Sequence, residues 1–127
     1  MEMERAAFLK EKEQIEKLPD AEQKTYYTRW LETHPEKSTS RVVASLEYAK
    51  ILYREGDFRG VIEALLPITM NHHEYPFCEE IVTCFNQTGL AVNCESEYEV
   101  ARHYFQLALD IAEEHHVTSV FAKQHNN

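Results

Sequence analysis

The sequence predicts an all-α protein, a stack of antiparallel helix hairpins. Three observations carry that expectation. Residues 42–66 read as an amphipathic helix, a tight Gly56-Asp57 break and a second helix. The pattern returns forty residues later, with Phe85, Gly89, Tyr98, Ala101, Phe105, Ala108 and Leu109 at matching offsets. The third is scarcity: three glycines and four prolines are too few breaks for a many-turned sheet. They suit about five to seven helices of ordinary length.

The elements follow in order. Residues 3–17 form a charged helix with Phe8, Ile15 and Leu18 on its apolar side, and Pro19 ends it. Asp20, with Gln23 three residues on, has the spacing of a capping box for a second helix over 21–33. That helix places Tyr26, Tyr27, Trp30 and Leu31 at helical spacing, which suits packing onto the next hairpin or anchoring a partner. Ser38-Thr39-Ser40 offers caps for a third helix over 41–55, whose stripe is Val43, Leu46, Ala49 and Tyr53. Gly56 ends that helix and Asp57 caps a fourth over 58–70, with Pro67 expected to kink or shorten it.

Asn71-His72-His73-Glu74 connects to a fifth helix, for which Pro76 suits the first helical position. Ile81, Phe85, Thr88, Gly89 and Val92 form its inner face. A sixth helix carries Tyr98, Ala101, Phe105, Ala108, Leu109 and Ala112 to about residue 116. Residues 117–127 are a short seventh helix or a tail. The chain thus reads as a single domain over 1–127. It holds an N-terminal pair at 3–33, a first clear repeat at 41–70 and a second at 76–116.

Charge narrows the function. Residues 1–73 hold 11 basic and 13 acidic side chains, whereas residues 74–127 hold 2 basic and 9 acidic. The second half would repel duplex nucleic acid, which is bound largely by neutralising phosphates. It would also repel an anionic membrane, and it would attract a basic protein. No apolar run is long enough for a membrane span, and none follows the acidic start as a signal peptide would. Cys78, Cys84 and Cys94 are odd in number and crowded, which fits reduced thiols in a cytoplasmic protein.

Site chemistry is sparse. His72-His73 and His115-His116 are doublets, and adjacent helical residues diverge too far to chelate as an i,i+4 pair does. The cysteine spacings match no compact zinc knuckle. No phosphate-cradling glycine loop or marked nucleophile–base pair occurs. The expectation is therefore no catalytic residue, no metal site and no cofactor. A small metal-dependent enzyme using the histidines and cysteines is the contrasting class.

The recurring residues resemble the tetratricopeptide repeat. In the unit at about 82–115, Phe85 falls at the first large position and Gly89 at the close-contact glycine. Tyr98, Ala101, Phe105, Ala108 and Leu109 match the second helix of that repeat. In the unit at about 42–75, Ala49, Leu52, Tyr53, Gly56-Asp57-Phe58 and Leu65 match. Val61 replaces the usual alanine, Ser45 a large residue, and no proline closes the unit. The stretched spacing is similar to the repeat region of bacterial cytoplasmic peptide-pheromone receptors, the quorum-sensing class. The chain has no evident helix-turn-helix and would be a relative that keeps the interaction module alone.

The resemblance implies a right-handed superhelix of six helices, with a possible short seventh. It also implies a concave groove near Lys50, Arg54, Asn86, Leu90 and Asn93. There Lys50 and Arg54 would hold a carboxylate and the asparagines a peptide backbone. The expected function is a non-enzymatic, regulatory module that binds a peptide or protein segment. The alternative is an adaptor or inhibitor whose acidic or aromatic surface binds and blocks a basic, DNA-contacting protein. Tyr104, Leu107 and Ile111 lie around the sixth helix from its inner stripe, and they predict a homodimer contact.

Overall fold

A computed structural model describes the backbone of residues 2–117 and the side chains of residues 5–117. It contains six α-helices: α1 (Glu2–Ile15), α2 (Asp20–Thr33), α3 (Thr39–Arg54), α4 (Phe58–Met70), α5 (Glu79–Cys94) and α6 (Tyr98–Glu114). A single 3-10 turn, His72–Glu74, lies between α4 and α5, and there is no strand among the described residues. The expected tail or seventh helix falls outside the described residues, apart from Val117.

Local chemistry explains most boundaries. Ser38 Oγ accepts the Arg41 N–H at 3.1 Å and so caps α3. Gly56 adopts φ 79°, where a side chain is strained, and closes α3. The Asp57 carboxylate then accepts the Gly60 N–H at 2.9 Å and opens α4. Pro67 does not shorten α4. The helix runs on to Met70, and Asn71 Nδ2 donates to the Pro67 carbonyl at 3.3 Å.

Two expected starts are corrected. Asp20 is the first residue of α2 rather than its cap, and no capping box forms. Its carboxylate instead accepts from Arg54 at 3.2 and 3.0 Å, while Pro19 holds the cap position. Gln23 turns the other way, and its Nε2 donates to the Leu18 carbonyl at 2.7 Å after the end of α1. Pro76 is not the first residue of α5, which begins at Glu79. Tyr75 is buried in the core, and the Phe77 ring stacks on His115 at 3.7 Å. Those two anchors hold the segment extended, and Glu79 and Glu80 then favour the helix N-terminus by charge.

Helices adjacent in sequence pack against one another from α2 to α6. In addition α1 packs on α3 and α3 on α5, so the odd-numbered helices lie side by side. This is a stacked helical-hairpin arrangement. The closest approach is within the last hairpin. A Cβ on Gly89 would lie 2.5 Å from Phe105 Cε1, while Ala101 and Ala108 on α6 are 1% and 0% exposed.

The interior divides into two clusters. The larger joins α3 to α6 through Leu46, Leu52, Leu65, Ile68, Ile81, Phe85 and Ile111. The smaller joins α1, α2 and α3 through Phe8, Tyr27, Trp30, Val43, Ala44 and Ile51. Phe8 and Trp30 meet at 4.9 Å between ring centres. The aromatic group of α2 is therefore packing, with Tyr27 fully buried. Ile111 is only 5% exposed and belongs to the larger cluster, against which Tyr104 and Leu107 also pack. Ile111 is spent inside the domain and is not available to a second copy. No helix among the described residues is long and apolar enough to cross a membrane.

Candidate binding surface

The five residues expected at the groove lie on α3 and α5, the neighbouring pair in the odd-numbered layer. On α5, Asn86, Leu90 and Asn93 fall at i, i+4 and i+7 and so share one face. On α3, Lys50 and Arg54 are one turn apart. At the far end of the pair the Tyr53 hydroxyl meets Cys94 Sγ at 3.7 Å, which ties α3 to the end of α5. That contact, and burial after it, raises the Tyr53 phenol.

The two cations are already matched within the chain. Lys50 Nζ donates to Glu47 at 2.9 Å. Glu47 also lies 3.7 Å from Lys12 of α1. Arg54 embraces Asp20 through two nitrogens, and that guanidinium holds the Asp20 carboxyl below the usual carboxylate range. An incoming carboxylate would have to displace these partners. The carboxylate-holding role expected for Lys50 and Arg54 is thus filled by Glu47 and Asp20. Glu47 stands three residues from Lys50 and was visible as a partner in the sequence. Asp20 lies 34 residues away in the chain, and no local signal points to it.

The residues of α5 differ in kind. Asn86 is only 7% exposed, and its Nδ2 is buried with no hydrogen-bond partner. Such an orphan donor costs about 1–3 kcal/mol relative to a satisfied one. One turn on, Leu90 is 43% exposed, a large apolar side chain left open to water. Asn93 is exposed as well, and so is every residue from there to Val100. An orphan donor, an open apolar side chain and an exposed amide are therefore aligned on one helix face.

The chain matches no family model, no curated protein and no solved structure. What it does must be read from its own surface.

Burial raises the Cys84 thiol strongly, and burial followed by Glu80 pushes Cys78 up to about 11. Both are therefore held as poorly nucleophilic thiols. The His72 ring lies edge-on to Phe85 at 5.3 Å, and His115 stacks on Phe77. No group of three or more His, Cys, Asp or Glu side chains among the described residues is placed to hold a metal. A shallow recess lined by Lys24, Tyr48, Leu52, Asp57, Gly60, Glu63 and Ala64 contains none of the five expected residues.

Arg5 escapes sequence reasoning altogether. It pairs with Glu80 at 3.1 and 3.0 Å, so α1 reaches across to the first turn of α5. The two residues are 75 positions apart, and neither carries a motif.

Proposed function

We propose that this chain is a non-enzymatic interaction module of the tetratricopeptide type, a right-handed superhelix that binds an extended peptide or protein segment along the α3–α5 face. The observation that carries the reading is the exposed Leu90 with the exposed Asn93 one turn on along α5. An apolar side chain of an extended segment would cover the first, and its backbone would pair with the amide of the second. The stacked hairpins support it, since such scaffolds present long faces rather than enclosed reaction chambers. A regulatory role in the cytoplasm, akin to peptide-sensing receptors, is proposed from the resemblance of the stretched repeat spacing and the run from Leu52 to Phe58 to those repeats.

The test is capture from native lysate followed by hydrogen exchange on the isolated complex. Leu90→Asp is the disrupting variant, because a half-exposed position tolerates the change without loss of folding. The expected result is slowed exchange over residues 83–94 and loss of capture by the variant. Capture by the variant equal to wild type, or protection confined to other helices, would overturn the reading.

A further inference from the structure

We propose that His72, with His73 and His115 beside it, is a proton-operated latch on the segment between α4 and α5. The seated segment requires an uncharged His72, and acid releases it while the helices stay folded. This stands apart from the binding reading above.

The segment, residues 71–78, has little backbone of its own to hold it. In its 3-10 turn the Glu74 N–H donates to the Asn71 carbonyl at 2.9 Å, and the Tyr75 N–H donates to the His72 carbonyl at 3.2 Å. Side chains supply the rest. Tyr75 is buried in the core and Glu74 pairs with Lys37. The His72 ring lies edge-on to Phe85 of α5, and Phe77 stacks on His115 at the end of α6. Imidazoles therefore make two of these ties, one at each end of the buried Tyr75.

The fold joins the two histidine doublets of the sequence at this place. The ring centres of His72 and His73 are 3.9 Å apart, and the stack of His115 on Phe77 closes at 3.7 Å. The three imidazoles differ in setting. His73 and His115 are exposed, so water solvates a charge on either of them, whereas His72 is half-buried against Phe85. Burial is the main cause that drives the proton off His72, and His73 is the next; Glu114 opposes them and His115 adds to them. Glu74, two residues on, is engaged by Lys37. Among the described residues no charge from α4 or α5 acts on the ring.

Release returns His72 to water and to its ordinary value of 6.5. The seated ring binds a proton less readily, so the released form takes one up as pH falls below about 6.5. For a single proton the opening constant then rises by at most about tenfold per pH unit, and it levels off below the seated value. Tyr75 leaves the core and Phe85, 1% exposed when covered, loses its lid. Acid thus uncovers aromatic surface that is closed at neutral pH.

The experiment is amide hydrogen exchange of the full-length protein followed by NMR, from about pH 7.5 down to about 5.5. Rates are expressed as protection factors, which removes the intrinsic pH dependence of exchange. Wild type is compared with His72→Gln and His73→Gln. The expected result is a fall in protection at Glu74 and Tyr75 on acidification, with the amides of Leu46 and Ile51 in α3 unchanged. His72→Gln should abolish that fall. That variant can also unseat the segment outright, so the second one decides. His73 is exposed, and replacing it removes a repelling neighbour without touching the core. His73→Gln should make the fall smaller, because His72 then holds its proton more readily while seated. Unchanged protection at Glu74 and Tyr75 in acid would overturn the proposal. So would an equal fall in α3, which would mean general acid unfolding, or a fall of the same size in His73→Gln.

Discussion

Gly89→Ala measures how tightly the last hairpin is closed. On an open helix surface this change stabilises by about 1 kcal/mol, because alanine orders its backbone at lower entropic cost. Here the new Cβ would lie 2.5, 2.8 and 3.1 Å from three ring atoms of Phe105. To regain an ordinary contact distance the ring must retreat by about 1 Å, which loosens its packing. Overpacking of this kind costs about 1–3 kcal/mol. The cost exceeds the propensity gain, and the net expectation is a destabilisation of about 1–2 kcal/mol. For a chain of this length that corresponds to a fall in Tm of roughly 4–8 °C.

A double-mutant cycle with Phe105→Ala isolates the contact. In that background the clash is gone, so Gly89→Ala should become neutral or stabilising by up to about 1 kcal/mol. Urea denaturation followed by circular dichroism gives the four stabilities. A stabilising Gly89→Ala in the wild-type background would refute the reasoning, because it would mean that the ring yields without cost.

Burial, and then the neighbouring His73, lower the His72 pKa from 6.5; Glu114 opposes and His115 adds to the shift. The unfolded chain then holds the proton more readily, so this contribution is complete above about pH 6.5 and is lost as pH falls through the lower folded value. His72→Gln should flatten the stability profile between pH 7.5 and 5, and an unchanged slope in urea midpoints would contradict the assignment. Leu107→Glu combined with Ile111→Glu should unfold the chain rather than split an assembly, because Ile111 is 5% exposed. An unpaired buried charge costs about 3–5 kcal/mol, so a well-folded double variant by circular dichroism would be inconsistent with this packing. Cys94 is exposed whereas Cys84 is buried and Cys78 is intermediate. A thiol reagent should therefore modify Cys94 quickly, Cys78 more slowly and Cys84 only in denaturant, and three equal rates would contradict the structure.

What the sequence made legible was local. The third to sixth helices were readable because Gly56, Asp57 and the 3.6-residue apolar spacing act within a few residues of themselves. Gly89 was readable as a close contact because Phe105 and Ala108 recur at fixed offsets from it. Asp20 failed as a cap because the helix starts at it, after Pro19, and its carboxylate turns to Arg54 of another helix. Pro76 failed as a helix start because Tyr75 and Phe77 find remote partners in the core and at His115. Ile111 looked exposed by its angular position on the sixth helix. It is buried with Ala108 and Ala112 in the core cluster that α6 shares with α3, α4 and α5. For the surface, Leu90 and Asn86 came from the resemblance to the repeat rather than from their own spacing. The cancelled charges of Lys50 and Arg54 were only partly so, since Asp20 reaches one of them from the start of α2.

The division of the interior has a consequence for cooperativity. The two apolar clusters share Tyr48 as a flanking side chain. Of the seven ion pairs among the described residues, five join α1, α2 or the segment after α2 to the remainder of the chain. They are Arg5–Glu80, Lys12–Glu47, Lys24–Glu55, Lys37–Glu74 and Asp20–Arg54. These pairs flank an apolar seam, where Phe8, Tyr27 and Trp30 pack on Val43, Ala44 and Ile51 of α3. Screening acts on exposed charges and leaves buried apolar area nearly untouched. Ionic strength therefore trims the margin of that seam without opening it. In moderate salt the chain should unfold at a somewhat lower denaturant concentration and still in one transition, because α3 belongs to both apolar clusters.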